Sequence, residues 1–240
     1  MRIEAYFTAA EVDPAMVDGS TVVVVDVVRA TTTIVEALAN GARGIYPTDS
    51  TEEAVKLASS LGRDDTLLCG ERRGRKVEGF DMGNSPREFT REAVEGKRLV
   101  MSTTNGTRAF GVGQEGLRLL ACAFTNLGAV ARTVAGDVGI VVLCAGREEQ
   151  FAIDDALCAG HLIKRVTDAV EGAHEMNDGA LAARELAGSR QPSRAFLSMT
   201  AGGRALVEIG LGDDLELCAQ LDRHDVAAEM RDQAIVLAGT

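Results

Sequence analysis

The sequence predicts an α/β fold: a mostly parallel or mixed sheet covered by helices in three layers, α/β/α. Three observations carry this. Unbroken apolar runs such as Thr21-Val22-Val23-Val24-Val25 and Val138-Gly139-Ile140-Val141-Val142-Leu143-Cys144 recur, as strands buried on both faces require. Segments of helical spacing separate them. Polar clusters follow the strand ends, where open α/β sheets hold their ligands. With 240 residues, 46% of them hydrophobic, the chain suits a single domain over 1–240 or two similar lobes. A weak boundary falls near Glu171-Gly172.

Each element has a local reason. Thr21 to Asp26 is the first strand read here, and Thr31 to Ala39 is a helix, with Thr31 or Thr32 able to cap it and Gly41 beyond its end. Ile45-Tyr46-Pro47 is a short strand. Ser50 and Glu53 have capping-box spacing and open a helix to about Leu61, before Gly62. Thr66 to Cys69 is a strand, followed by a charged, Gly-rich loop to Asn84. Asn84-Ser85-Pro86 starts a helix with proline in its first turn. Leu99 to Met101 and Leu117 to Cys122 are strands, and Thr125-Asn126 caps a helix to Val134. After the strand 138–144, helices are expected at about 153–170, 178–187, 193–198 and 200–210. A last short strand is expected at Ala234 to Leu237.

Composition narrows the class. The formal charge is −11 and no Lys/Arg run breaks it, so nucleic acid is not an expected partner. No apolar run approaches the roughly 18 residues of a membrane span, and Met1 to Phe7 lacks a signal-peptide core. The five cysteines (Cys69, Cys122, Cys144, Cys158, Cys218) are odd in number and never spaced C-x-x-C. That pattern argues against a disulfide framework or structural zinc and fits a reducing cytoplasm. A homodimer is expected only from the prevalence of twofold symmetry.

The polar clusters carry the chemistry. Met101-Ser102-Thr103-Thr104-Asn105-Gly106-Thr107-Arg108 sets hydroxyls, an amide and open backbone N–H groups behind a strand, which is oxyanion chemistry. Asp26-Val27-Val28-Arg29-Ala30-Thr31-Thr32-Thr33 puts a carboxylate and three threonines at a strand-to-helix junction. Asp26 there is a metal ligand or phosphoryl acceptor, or a buried hydrogen-bonding group with Thr31 a plain cap. In Gly70-Glu71-Arg72, Glu71 can join Asp26 on a metal and Arg72 can grip an acid, or both form a solvated turn. Gly79-Phe80-Asp81-Met82-Gly83-Asn84-Ser85-Pro86 sets an acid, an amide and a hydroxyl before a helix. Asp154-Asp155 opens another, as dipole partners or as a metal ligand.

Other signatures fail. Cys69 to Arg75 fits a cysteine-phosphatase spacing, but Glu71 would repel a phosphate there. Val28 stands where the aspartate-phosphatase pattern needs a second acid. His161, His174 and His224 have no ligand spacing, and neither dinucleotide nor P-loop glycine patterns occur.

These ordered motifs, with Cys144-Ala145-Gly146 and the tail from Leu197 to Asp222, resemble the 2-phosphosulfolactate phosphatases, the ComB family. The resemblance covers nearly the whole chain. It implies a Mg²⁺-dependent phosphatase releasing sulfolactate and phosphate, a step toward coenzyme M. One departure is Asp154-Asp155, where the family reads Glu-Asp, and Asp155 is favoured as the matching acid. The expected catalytic residues are Asp26, Arg29 and Arg72, and the expected Mg²⁺ ligands are Asp26, Glu71, Asp81 and Asp155. Phosphate is assigned to Thr31, Thr32, Thr33, Asn84, Ser85, Thr103, Thr104, Asn105, Gly106, Thr107 and Arg108. Arg29, Arg72 and Arg108 are candidates for the substrate's carboxylate and sulfonate. The competing expectations are a phosphatase for another small phosphorylated hydroxy acid and a non-enzymatic anion-binding module.

Overall fold

The computed structural model describes residues 1–239. In chain order its elements are β1 (Arg2–Tyr6), β2 (Thr21–Val25), α1 (Ala30–Ala39), β3 (Gly44–Pro47), α2 (Thr51–Leu61), β4 (Thr66–Arg72) and β5 (Arg75–Lys76). Then come α3 (Arg91–Val94), β6 (Arg98–Ser102), α4 (Gly106–Gly113), β7 (Arg118–Cys122), α5 (Leu127–Val134), β8 (Gly139–Cys144), α6 (Ile153–Ala169) and β9 (Glu175–Met176). The C-terminal part holds α7 (Asp178–Ser189), α8 (Arg194–Met199), α9 (Ala201–Glu208), α10 (Asp214–Cys218), β10 (Ala228–Arg231) and β11 (Ala234–Leu237).

The strands form one mixed sheet in the order β5-β4-β6-β3-β11-β10-β7-β2-β8-β1-β9. Strands β4, β6 and β3 are mutually parallel, as are β7, β2, β8, β1 and β9. The hairpin β10-β11 joins the two groups through three antiparallel pairings, so the groups run in opposed directions along the ladder. Ordinary sheet twist adds up to roughly 100–125° over the five steps from β2 to β6. That rotation is consistent with the carboxyl ends of both groups reaching one cleft, as described below.

The valine run explains itself in this setting. Val23 and Val25 face one core, with α5, α6 and α7 and residues of α8 to α10. Val22 and Val24 face the other, with α1 and α4. Both faces of β2 are covered, so no alternation of polar residues is possible there. Leu99 and Met101 of β6 join that second core, while Val100 meets α2 through Ala54 and Ala58. All five cysteines are free and buried, and burial pushes the Cys69 thiol well up, which removes the cysteine-phosphatase reading.

Several local expectations are corrected. The α1 helix is not capped by threonine: the Asp26 carboxylate accepts the Ala30 N–H, and no side chain caps at Arg29. Strand β4 extends to Arg72, so Glu71 and Arg72 sit on a strand rather than in a loop. The Asn84-Ser85-Pro86 segment leads only into a short 3-10 turn at Pro86–Glu88. Residues 106–113 are a helix, not a continuing loop. Glu171 and Gly172 lie in the turn between α6 and β9, and β9 pairs with β1 in the same sheet.

Candidate active site

A cleft of about 630 Å³ of open space lies at the carboxyl ends of β2, β4 and β6, closed on one side by α9. Asp26, Arg29, Glu71, Asn84, Thr103, Thr104 and Asn105 line it. A second recess opens from the same point and shares Asp26, Val28, Asn105, Arg147 and Gly202 with the first. It adds Asp154 and Asp155 at the start of α6 and an apolar wall including Phe151 and Met199.

Asp26 is the centre. It follows β2 directly, and the chain is knotted behind it: Thr31 Oγ1 donates to the Asp26 carbonyl and accepts the Asp26 N–H. One carboxylate oxygen takes the Ala30 N–H at 3.1 Å. The other, Oδ2, faces Gly106, where an added β-carbon would approach it to 3.0 Å. Burial pushes the Asp26 carboxyl up to about 7; the Ala30 N–H opposes this, while the charges of Glu71 and Asp154 add to it.

The two acids of α6 divide the work. Asp155 accepts the Val27 N–H at 2.8 Å and the Gly146 N–H at 3.1 Å, fastening the end of β2 to the turn after β8. Asp154 meets only its own backbone N–H and otherwise opens into the recess. Burial raises its carboxyl to about 6, with that N–H and Arg147 opposing. Asp155 was the acid favoured from the sequence, yet Asp154 has the uncommitted carboxylate. Glu71 lines the first cleft, accepting from Gly74 N at 2.6 Å and Thr104 N at 2.8 Å.

The remaining expected residues separate into those brought to the cleft and those held elsewhere. Thr31, Thr32 and Thr33 are fully buried, their hydroxyls bonded to the carbonyls of Asp26, Val27 and Asn84. They build the loop and do not line the cleft: the Thr31 and Thr32 hydroxyls bond back to carbonyls upstream, and Thr33 ties α1 to the Asn84 segment. Ser85 donates to Asp214 at 2.7 Å. Thr107 donates to the Thr103 carbonyl and lines a different groove. Arg72 bonds the Glu71 and Ser102 carbonyls and the Ser102 hydroxyl, bracing β4 to β6. Arg108 is exposed and pairs with Glu149. Asp81 caps the Leu68 N–H at 2.7 Å and pairs with Arg63, away from the other acids. Thr103, Thr104 and Asn105 remain, with Gly106 opening α4 against Asp26. Asn84 also remains, and its buried amide oxygen has no partner.

Four residues outside the assigned set belong to the site. Arg73 and Arg147 line the cleft, and Asp154 faces Asp26. Asp214, buried on α10, bonds Arg29 at 2.7 Å and ties the C-terminal segment to the cleft. All four lay in segments already noted: Arg73 next to Glu71-Arg72, Arg147 after Cys144-Ala145-Gly146, Asp154 in the acid pair where Asp155 was favoured, and Asp214 in the tail from Leu197 to Asp222.

Among the described residues, no three His, Cys, Asp or Glu side chains converge closely enough to hold a metal by themselves. The four-acid cage expected from the sequence is therefore not formed. Asp26 and Asp154 instead form an acidic pair with open oxygens, both raised by burial, and Asp26 further by the charges of Glu71 and Asp154. Mg²⁺ commonly takes one or two carboxylates, several waters and substrate phosphate, and this donor set fits that habit. No helix among the described residues is long and apolar enough to cross a membrane.

The chain matches the family model described as 2-phosphosulpholactate phosphatase over residues 6–233. It is 35% identical over 223 residues to a probable 2-phosphosulfolactate phosphatase of Clostridium acetobutylicum, covering 92% of this chain and 94% of that one. It is 37% identical over 210 residues to a protein of the same description from Thermotoga petrophila, covering 86% and 87%. A third such relative, from Clostridium perfringens, is 35% identical over 98% of this chain and 96% of its own. The chain belongs to the 2-phosphosulfolactate phosphatase family, a family of phosphoric monoester hydrolases.

Proposed function

We propose that this protein is a Mg²⁺-dependent phosphatase converting 2-phosphosulfolactate to sulfolactate and phosphate, the reaction type of coenzyme M biosynthesis. The observation that carries the reading is the buried, unneutralised pair Asp26 and Asp154 beside the N-terminus of α4. Unpaired buried carboxylates are costly unless a cation offsets them. Asp26 and Asp154 would hold the Mg²⁺, with Glu71 close by. When bound, the ion would neutralise phosphoryl oxygens and relieve the repulsion among these acids.

The chain's own residues supply the positioning. The first turn of α4 has N–H groups without intrahelical partners, and its positive dipole end lies beside Asp26. A phosphate seated there meets the Asn105 and Gly106 backbone. Asp155 does not touch the phosphate; it holds the β2 and β8 ends at fixed separation. Hydrolysis moves a water oxygen onto phosphorus, breaks the ester bond, and returns a proton to the sulfolactate hydroxyl. Positioning and charge stabilisation are most of what phosphoryl transfer requires. The buried free thiols suit a reducing cytoplasm.

The test is phosphate release from 2-phosphosulfolactate, phospholactate and p-nitrophenyl phosphate, with Mg²⁺ and with EDTA. Mg²⁺-dependent turnover preferring the sulfonate supports the reading. Turnover confined to the other esters would discard the named substrate. No turnover by folded protein would discard the activity.

A further inference from the structure

We propose that Arg73 and Arg147 form the subsite for the two acid groups of the substrate that are not phosphate, its carboxylate and its sulfonate. The inference rests on the phosphatase reading above for its substrate. It replaces the three arginines that the sequence had offered.

Those three are committed elsewhere. Arg29 is 4% exposed and holds Asp214 at 2.7 Å and the Gly74 carbonyl at 2.8 Å. Arg72 bonds Ser102 and the Glu71 carbonyl. Arg108 pairs with Glu149 outside the cleft. Arg204 reaches the second recess, but its guanidinium bonds the Met199 carbonyl.

Arg73 and Arg147 are different. Both line the cleft. Arg73 makes no hydrogen bond or ion pair among the described residues. Arg147 has only a 4.0 Å contact with Glu148, and its side chain is 39% exposed. Their backbones, by contrast, are fixed by site residues. Arg73 sits at φ +53 in the turn between β4 and β5, and the next residue, Gly74, is bonded to both Glu71 and Arg29. Arg147 exchanges backbone hydrogen bonds with Gln150, while the preceding Gly146 N–H is held by Asp155 and the following Glu148 N–H by Asn105.

Charge argues the same way. Asp26, Glu71, Glu148, Asp154 and Asp155 line the two recesses in a chain of net charge −11, and of the four arginines facing them Arg29 and Arg204 are already committed. A substrate with a carboxylate and a sulfonate beside its phosphate would be repelled unless free cations met those groups. A guanidinium fork matches two oxygens of either acid. Two free arginines on separate turns match two acids on adjacent carbons. A monoester lacking these acids gains nothing from them.

The test binds sulfolactate and lactate to the protein in Mg²⁺ by calorimetry, alongside ester turnover. Variants are Arg73→Gln, Arg147→Gln and the conservative Arg147→Lys, each checked for wild-type melting. We expect wild type to favour sulfolactate over lactate at least tenfold. Each Gln variant should lose at least tenfold in sulfolactate affinity, and Arg147→Lys should recover part of it. The ratio of kcat/KM for 2-phosphosulfolactate over p-nitrophenyl phosphate should fall by at least tenfold. Wild-type sulfolactate affinity in both Gln variants, or no preference over lactate in the wild type, would overturn the proposal. Equal losses on both esters would also overturn it, since the arginines would then serve the phosphate or the fold. If wild type binds sulfolactate as expected but releases no phosphate, the phosphatase reading fails and this one stands.

Discussion

Gly106 lies against Asp26 so closely that a β-carbon at that position would sit 3.0 Å from Asp26 Oδ2 and 2.7 Å from the Ala30 β-carbon. The helix N-terminus can approach the carboxylate only because this residue has no side chain. Gly106→Ala should therefore displace Asp26 or α4 and lower kcat at least tenfold. Overpacking of this kind costs about 1–3 kcal/mol, so the protein should still fold. A melting curve beside a turnover assay checks both halves; unchanged kcat would show that the close approach has no catalytic role.

The two acids of α6 should respond oppositely to amidation. Asp155→Asn places an amide donor against one of two backbone N–H groups, Val27 or Gly146, and should cost roughly 1–3 kcal/mol of stability. Asp154→Asn removes a buried carboxylate that Arg147 offsets only in part. It should leave stability unchanged or raised and weaken Mg²⁺ binding at least tenfold. Urea unfolding and Mg²⁺ calorimetry on both variants separate the roles, and the reverse pattern would exchange them.

Arg29 and Asp214 form a buried ion pair at 2.7 Å, with side chains 2% and 1% exposed. Removing one partner leaves a buried charge, a loss of about 3–5 kcal/mol. Asp214→Ala should be destabilised on that scale, and Arg29→Met with Asp214→Leu together by less than the two single changes summed. Denaturant titration measures this; strict additivity would mean that the pair does not interact.

The pH dependence follows from Asp26, raised to about 7, and Asp154, raised to about 6, with Asp155 also pushed well up by burial and by its two acid neighbours. Both folded values lie above the unfolded carboxyl value of 3.8. Between these limits the folded state binds more protons than the unfolded one. Metal-free protein should therefore lose stability as pH rises from about 4 to 7, on the order of a few kcal/mol in all. Saturating Mg²⁺ should offset most of that loss, and more at pH 7 than at pH 5. Melting scans in EDTA and in Mg²⁺ across this range test it; a flat metal-free profile would contradict the electrostatic account.

How much of this was legible in the sequence depends on the kind of signal. The β2 and β8 runs were readable because strands buried on both faces leave no ambiguity. β1 went unread although Arg2–Tyr6 alternates buried with more exposed residues, the pattern of a strand with one covered face. The hairpin β10-β11 turns at Asp232-Gln233, both at positive φ, without the glycine that usually announces such a turn. α4 was hidden by three glycines in eight residues, which lower its helical propensity. In the site, placement was readable and orientation was not. Asp26 and Thr103 to Gly106 reach the cleft because they follow strand ends, and Glu71 because it stands at the carboxyl end of strand β4. The hydroxyls of Thr31 to Thr33 turn inward onto the Asp26, Val27 and Asn84 carbonyls. Asp214 lay in the tail that resembles the family, but its pairing with Arg29, far away in the chain, emerged only once α10 was packed.

The most direct test of the central claim is phosphate release from 2-phosphosulfolactate by wild type and Asp26→Asn, side by side in Mg²⁺. The account predicts metal-dependent turnover by the wild type and a loss of at least about 100-fold in the variant, a scale ordinary for removing a group that stabilises transition-state charge. An Asp26→Asn protein working within twofold of wild type would contradict the assignment of this cleft as the active site.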